Sequence, residues 1–417
     1  MTSSVVVVSL RAGDWLAPCL ASVRQQTDQL VVVDNGSPDG EVSEVGRRFD
    51  ATIVRSGTNR GFAGGANLGV RRSTGDTVAL LNDDAVAAPD WLAASRTVLD
   101  HPDVAAVTPK VVLSGWYGEV PVDGEAWSAP GDARLLGRKL VSVTVGGEEV
   151  LDRLAGPGVH GVEETVEEGT PQRWRWTRPG KSFYVPVPGP GPGPAIVING
   201  EESVEPRAVC QLINNTGLYL RDDAYAGDRG LESPDDGRWD HVGDAFGVSG
   251  TAMVARAETF RTVGLLAEPF FAYYEDTDWS WRARRLGLRL AYLPSTSVSH
   301  RRSATSTVSL GARVRILGER NRLLAIARNA PAPVVAAEVR RRLVDGPDHG
   351  IRRGMLQLLP WALATRTALN RRSTLSPAAV WDRWAGADTE WDDGPAGSDK
   401  AGSDEAGSDD RRAAPGG

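Results

Sequence analysis

The 417-residue sequence is long enough for two or three domains at roughly 100–200 residues each, which excludes a mini-protein or a collagen-like chain. With 41% hydrophobic and 24% charged residues it has the composition of a soluble globular protein, and two cysteines, Cys19 and Cys210, cannot build a disulfide framework. The net charge of −7 would argue against nucleic acid if evenly spread, but it is not.

The chain opens on Val5–Val8, an apolar run too short for a secretory signal, and no stretch reaches the roughly 18 apolar residues of a spanning helix. A cytoplasmic location is the expectation. Val5–Ser9 reads as a β-branched strand, and Asp14–Gln26 as a helix with Leu16, Leu20 and Val23 on one face. Leu30–Val33 and Val78–Leu81 read as further strands. Alternating strands and helices predict a parallel sheet covered by helices, in which ligand chemistry gathers at the carboxyl ends of the strands. The residues to question are therefore Asp34-Asn35-Gly36-Ser37 and Asn82-Asp83-Asp84.

From about Trp116 to Arg207 the character changes. Short β-like runs at 140–145, 181–187 and 195–198 are broken by Gly-Gly, Pro-Gly and the repeat Gly189–Pro194, and 173–187 reads as a hairpin about Pro179-Gly180. This is a β-rich insertion. Trp174 and Trp176 alternate onto one face, as a sugar-stacking platform or as the module's core. The α/β pattern then resumes with a helix at Ala257–Val263. A second helix follows Pro269, with acids in its first turn and Arg282, Arg284 and Arg285 before Gly287, an order that complements the helix dipole and ends the helix. Strands at 289–293 and 297–300 come next.

Charge is concentrated at the C-terminal end. Between Arg301 and Arg372 fifteen arginines face four acids, a local +11, whereas Ser373 to the end holds ten acids and four bases. The near-repeat AGSDKAGSDEAGSDD has almost nothing to bury and reads as a disordered acidic tail. The basic segment is either an interfacial helix on an anionic membrane, peripheral on the inner face of the plasma membrane, or a helical subdomain packed on the body. Its Leu/Trp-rich core between paired arginines disfavours nucleic acid as the partner.

Taken alone, Asp34 reads as the acid of an Asx-type turn, and the glycines from Gly61 onward permit a close backbone approach or a tight helix start. Together, Leu30–Ser37, the loop Asn59–Asn67 with Gly61 and Phe62, Asn82-Asp83-Asp84, Tyr274–Asp278 and His300 resemble an inverting family 2 glycosyltransferase of the GT-A fold, in its rhamnosyltransferase and galactofuranosyltransferase-like branch. The resemblance covers roughly residues 3–113 and 208–305. It implies an α/β GT-A nucleotide-diphospho-sugar transferase fold: a nucleotide-binding half at 1–115, the β-rich insertion at 116–207 and a catalytic half at 208–305. A basic helical extension at 306–395 and the tail at 396–417 would complete the chain.

By the same resemblance Asp276 is the general base. Asp34, Asn35, Gly61, Phe62, Asn67, Asn82 and Asp83 surround the donor, and Asp84 and His300 hold Mn2+ or Mg2+. Asn82 departs from the family's first acid, which points it to ribose or water. Glu275 and Asp278 either join the site or cap the helix, and Arg301 with Arg302 either holds the leaving diphosphate or belongs to the basic segment. A dTDP-rhamnose or UDP-sugar donor and a glycan or polyprenyl-linked acceptor are implied. Two other classes compete: a sugar-1-phosphate nucleotidyltransferase, for which Ser9–Asp14 is a poor phosphate loop, and a non-catalytic carbohydrate-binding scaffold, which has no use for Asp84, Asp276 and His300 together.

Overall fold

The computed structural model describes residues 1–129, 132, 134–167, 170–191, 193–301, 311–343 and 349–387. The expected acidic tail, the end of the expected extension and Arg302 lie outside the described residues. The described chain forms two compact units, one from 1–115 and 211–387, the other from 116–210.

The first unit is built on a mixed sheet. Strands β1 (Ser3–Ser9), β2 (Gln29–Asp34), β3 (Thr52–Arg55) and β4 (Thr77–Asn82) run parallel in the order β4-β1-β2-β3. Beyond β4 lie Ala252–Arg256, antiparallel to its neighbours, then β6 (Val104–Leu113), Arg289–His300 and the short edge strand Gly243–Asp244. The short strand β5 (Ala85–Ala87) pairs with the end of Arg289–His300. Where two strands were expected at 289–293 and 297–300, one continuous strand runs, and its register on β6 shifts between Leu293 and Ser297.

Valine-rich β1 and β2 are buried on both faces, as parallel strands under two helical layers must be. Val5, Val7, Leu30 and Val32 face one core with helices α1 (Leu16–Arg24) and α4 (Trp91–Leu99). Val6, Val31 and Val33 face the other, beneath α3 (Gly61–Arg72), α5 (Ala257–Val263) and α6 (Glu275–Arg285). Gly65 and Gly69 explain how α3 fits: a Cβ on either would come within 2.4 Å of Val8 Cγ1 or 2.1 Å of Val6 Cγ1. These glycines press helix on sheet, and only Gly61 starts the helix. Helix α2 (Glu41–Arg47) covers β2 and β3 at the sheet's edge.

The remaining helices are α7 (Gly311–Asn329), α8 (Ala332–Leu343), α9 (His349–Arg372) and α10 (Pro377–Trp384). They belong to the first unit and do not form a separate extension. Leu323, Leu324, Ile351 and Met355 close a core with Ala267 and Phe270, and Val380 and Trp384 pack with Phe246 and Trp281. Several arginines of the basic segment therefore bond to the body of the fold. Arg366 donates to the carbonyls of Ala327 and Ala330, Arg372 to those of Thr262 and Val263, and Arg322 pairs with Glu319 and Glu338.

The second unit is all-β with an aliphatic core of Val120, Val143, Val185, Ile196 and neighbours. The expected hairpin about Pro179-Gly180 is not formed. Thr170–Trp176 pairs with Glu163–Glu167 and Lys139–Leu140, whereas Ser182–Val187 pairs along all six positions with Trp116–Pro121, so the turn passes the chain from one sheet to another. Trp174 and Trp176 do not enter the aliphatic core. Arg175 between them is the buried residue, donating to the carbonyls of His160 and Leu154, and Trp176 meets Trp127 edge to face at 5.4 Å.

The insertion enters and leaves the first unit at one place. Leu113 N–H, at the end of β6, donates to the carbonyl of Leu212 at 2.8 Å, and Ile213–Asn215 continues antiparallel to β6.

Candidate active site

Sheet register brings the sequence-predicted residues to one edge. Ser9 stands beside Asp34, and Val8 beside Asn82, so the carboxyl ends of β1, β2 and β4 are level. His300 ends its strand opposite Ala85, next to Asp84.

Asp84 and His300 meet there: Nε2 of His300 lies 3.0 Å from Oδ1 of Asp84, and both residues are buried. His300 Nδ1 is 2.7 Å from Asn214 Oδ1, an atom that can only accept, so Nδ1 carries a hydrogen, and in the neutral imidazole Nε2 holds the lone pair. Asn82 Nδ2 sits 3.3 Å from the same Nε2, which places the departure from the family's first acid against the histidine. Nε2 and Oδ1 are then two electron-pair donors side by side, an arrangement a divalent cation between them relieves. The carboxylate–imidazole donor set, with an outer partner orienting the imidazole, fits a hard or borderline divalent ion. Among the described residues no group of three or more His, Cys, Asp or Glu is assembled for a metal, so the remaining positions would fall to substrate oxygens.

Asp83 turns away from this pair and accepts from Ser9 Oγ at 2.5 Å. Burial, with a smaller push from the Asp84 charge, raises its carboxyl to about 6 against the pull of that hydroxyl. Beneath it, burial lifts the Cys19 thiol well above its ordinary value, which leaves it an inert packing group whose Sγ meets the Asn82 carbonyl at 3.3 Å.

Asp276 is the second residue of α6. Its Oδ2 accepts from Gly250 N–H at 2.9 Å and its Oδ1 from Thr277 N–H at 2.7 Å. Thr251, next in the chain to Gly250, accepts from Asn82 N–H at 2.9 Å through its carbonyl, so a single short loop joins the aspartate to the Asp84 side of the site. The helix dipole alone would lower the basicity of Asp276. Burial outweighs it, and the carboxyl is held above the ordinary aspartate range in spite of the two amide donors.

Its neighbours have other work. Glu275 is 6% exposed with Oε2 unpartnered, and burial, reinforced by the adjacent Asp276 charge, pushes its carboxyl well up. Asp278 is fully buried and accepts from Arg282 Nε at 2.9 Å, Arg328 Nη1 at 2.5 Å and Asn329 Nδ2 at 3.0 Å. Burial opposes its charge, but the two guanidinium groups win and hold it below the usual range. This places Asp278 at the junction of α6 and α7.

The donor-loop residues form a linked set. Asp34 accepts from Ser37 N–H at 2.9 Å and from the Ser43 hydroxyl; burial acts against it, yet these donors and Arg55 hold its carboxyl low. As placed, it builds the turn. Asn35 donates to the Gly61 carbonyl at 3.1 Å and accepts from Arg60 N–H at 3.1 Å. Gly61 has φ +68°, and a Cβ there would stand 2.1 Å from the Phe271 carbonyl oxygen. Phe62 borders Gly250, where a Cβ would meet its ring at 3.1 Å and Asp276 Oδ2 at 3.6 Å. Asn67 clips α3 to the segment before α6, exchanging bonds with the Leu266 backbone at 2.9 and 3.0 Å. Arg301 is exposed, ion-paired to Asp14 at 3.0 Å, and its N–H donates to the Asp84 carbonyl.

Three residues of the site escape the sequence reading: Ser9, Asn214 and Gly250. Ser9 closes a predicted strand and was open to suspicion on that ground. Asn214 lies in a segment with no motif, and its role exists only through a contact distant in the chain.

The mixed sheet, covered by helices on both faces and with polar residues at its carboxyl strand ends, is that of the GT-A class of glycosyltransferase folds. The solved structure of GalNAc-T7 with UDP, GalNAc and Mn2+ shares that fold, with a TM-score of 0.52 at 12% identity over 92% of this chain and 56% of that one. Residues 4–139 match the family described as Glycosyl transferase family 2. An uncharacterized glycosyltransferase of Haemophilus influenzae is 33% identical over 90 residues, 21% of this chain and 31% of that protein. The glucosyl-dolichyl phosphate glucuronosyltransferase of Haloferax volcanii is 32% identical over 133 residues, 29% and 41% of the two. The chain thus matches less than half the length of either relative.

Proposed function

We propose that the chain is a metal-dependent inverting glycosyltransferase that moves a sugar from a nucleotide diphosphate donor to a glycan or lipid-linked acceptor. The observation that carries the proposal is the pairing of Asp84 with His300 and the link from their side of the sheet to Asp276 through the Gly250-Thr251 loop, which bonds Asn82 at one residue and Asp276 at the other. A nucleotidyltransferase or a binding scaffold needs no such trio.

In this reading Asp276 takes the acceptor's hydroxyl proton on a carboxylate oxygen as that oxygen attacks the anomeric carbon. Gly250 and Thr277 N–H groups fix the carboxylate's orientation, and its raised pKa makes it a better proton acceptor than a solvated aspartate. Asp84 and His300 would hold Mn2+ or Mg2+, which when bound neutralises charge on the departing diphosphate. Asn214 keeps the His300 lone pair turned to that position, and Asn82 adds a neutral donor beside it. Asp34 and Asn35 shape the wall against which the nucleotide rests, with Gly61, Phe62 and Asn67 setting the position of α3, and Arg301 would exchange Asp14 for phosphate oxygens.

For the donor, dTDP-rhamnose or a UDP-sugar follows from the rhamnosyltransferase and galactofuranosyltransferase-like motifs. The haloarchaeal relative's name joins sugar transfer to a dolichyl phosphate-linked sugar, which supports a lipid-linked acceptor here. A membrane-surface role agrees with the outer face of α9, where Leu356 is 57% and Leu363 44% exposed near Arg353 and Arg371. No helix among the described residues is long and apolar enough to cross a membrane.

A screen of nucleotide sugars for thermal stabilisation, with and without Mn2+, tests the proposal. A subset sharing one base should raise the melting temperature only with metal present. No shift by any nucleotide sugar under either condition would overturn the reading.

A further inference from the structure

We propose that Phe271 and Tyr273 form the platform on which the acceptor's sugar ring stacks; the proposal rests on the glycosyltransferase reading above. Phe271, Tyr273 and Tyr274 all have positive φ, of +68°, +72° and +66°; Phe271, with ψ −65°, forms a γ-turn closed by the Ala272 N–H on the Phe270 carbonyl, and Tyr274 is left-handed. Non-glycine residues adopt positive φ rarely, and it persists only where the surroundings over-determine it.

The surroundings here do so. Asn321, fully buried on α7, places Nδ2 2.8 Å from each of the carbonyls of Phe270, Ala272 and Tyr273, which share its two hydrogens. Arg320 donates to Pro269 and Phe270, and the Phe271 carbonyl accepts from Ala63 N–H at 3.1 Å. Tyr274 is anchored through its hydroxyl, which donates to the Ala226 carbonyl at 3.0 Å.

This strained segment sorts its aromatic rings. Phe270 is fully buried against Trp361, while Phe271 and Tyr273 stand 37% and 40% exposed. Holding two large rings at the surface with backbone strain runs against what hydrophobic burial favours, and such an arrangement marks a binding surface.

Position identifies the ligand. The Phe271 ring lies against the first residue of α3, since a Cβ on Gly61 would approach its Cγ to 2.6 Å, and Asp276 follows Tyr273 by one turn of chain. Phe271 thus borders the donor loop, and the segment that bears both rings runs directly into α6 with the proposed base, so in the proposal the acceptor crosses this segment to bring its hydroxyl to Asp276. A pyranose presents a face of C–H bonds that packs on an aromatic ring, and neither ring needs a charge partner to receive it.

The test uses the full chain, the nucleotide sugar that stabilises it, and methyl and octyl glycosides as acceptor probes. Phe271→Ala and Tyr273→Ala should each raise the acceptor KM by about tenfold, equally for the two glycosides, with the affinity for nucleotide measured by calorimetry moving less than about twofold. Phe271→Trp and Tyr273→Phe should restore most of the loss. An unchanged acceptor KM, or a nucleotide affinity that weakens in proportion, overturns the platform. A loss confined to the octyl glycoside also overturns it, in favour of a lipid contact. A wild-type chain that binds no nucleotide sugar fails earlier, at the functional reading itself.

Discussion

Nε2 of His300, at the end of its strand, and Oδ1 of Asp84, in the turn between β4 and β5, lie 3.0 Å apart, and Asn214 fixes the imidazole from behind at 2.7 Å. The outer partner matters because removing it frees the ring to turn. Asn214→Ala should weaken Mn2+ affinity roughly 10–100-fold, as loss of such supports does in other metal sites. His300→Ala should abolish metal-dependent stabilisation by nucleotide. Titration of Mn2+ against melting temperature at saturating nucleotide measures both, and identical titrations for Asn214→Ala and wild type would count against the metal assignment.

Asp276→Asn keeps the shape and the Gly250 contact but cannot take a proton. Transfer should fall by roughly 10²–10⁴-fold while nucleotide affinity stays within about twofold. The base must be ionised to act, so the rate should fall as pH drops through a pKa that burial has raised above the ordinary aspartate value. A kcat/KM profile with its acid limb at the value of a solvated aspartate would contradict this.

Glu275 predicts an opposite dependence for stability. Its folded pKa lies above its unfolded one, so above the unfolded value of about 4.3 the native state holds a proton that the unfolded state has released, and stability declines as pH rises toward the folded pKa. Glu275→Gln removes that titration. The variant should melt higher than wild type at about pH 8 and match it near pH 4, as followed by thermal denaturation across pH.

Asp278 carries the reverse sign. Its folded pKa is depressed by Arg328 and Arg282, so its contribution is present above the unfolded pKa and is lost as pH falls through the folded one. Asp278→Ala leaves two buried guanidinium groups without their partner and should cost about 3–5 kcal/mol in urea denaturation. A cost below about 1 kcal/mol would show that α6 and α7 are held otherwise.

The exposed face of α9 gives a test that deleting the segment cannot, because α7 and α9 also hold the core. Arg353→Glu with Arg371→Glu should reduce co-sedimentation with phosphatidylserine vesicles, by about 1 kcal/mol or more for each arginine lost, with added salt erasing the difference. Unaltered vesicle binding would remove the membrane from the proposed function.

The donor half was legible because its signals are local. Periodicity located β1, α1, β2 and β4 within two residues, and the polar triplets followed from strand ends. The role of the basic segment was not legible. Fifteen arginines read as a surface, yet Arg328 and Arg366 serve the interior. Formal charge along a chain does not tell which guanidinium groups find buried carbonyls or carboxylates. The tryptophans at 174 and 176 misled for a related reason: alternation identifies a shared face but not which face is buried, and the buried one belongs to Arg175. Asn321 left no trace at all, since one amide serving three carbonyls is a property of a fold.

The bond from Leu113 to Leu212 has a consequence for how this molecule can be edited. Ninety-odd residues depart and return through a doorway one hydrogen bond wide, and the ladder between β6 and Ile213–Asn215 needs only a tight reversal to stay in register. A short glycine-containing turn in place of residues 116–210 is therefore expected to keep that ladder, an outcome that circular dichroism and thermal melting of the deletion variant would check.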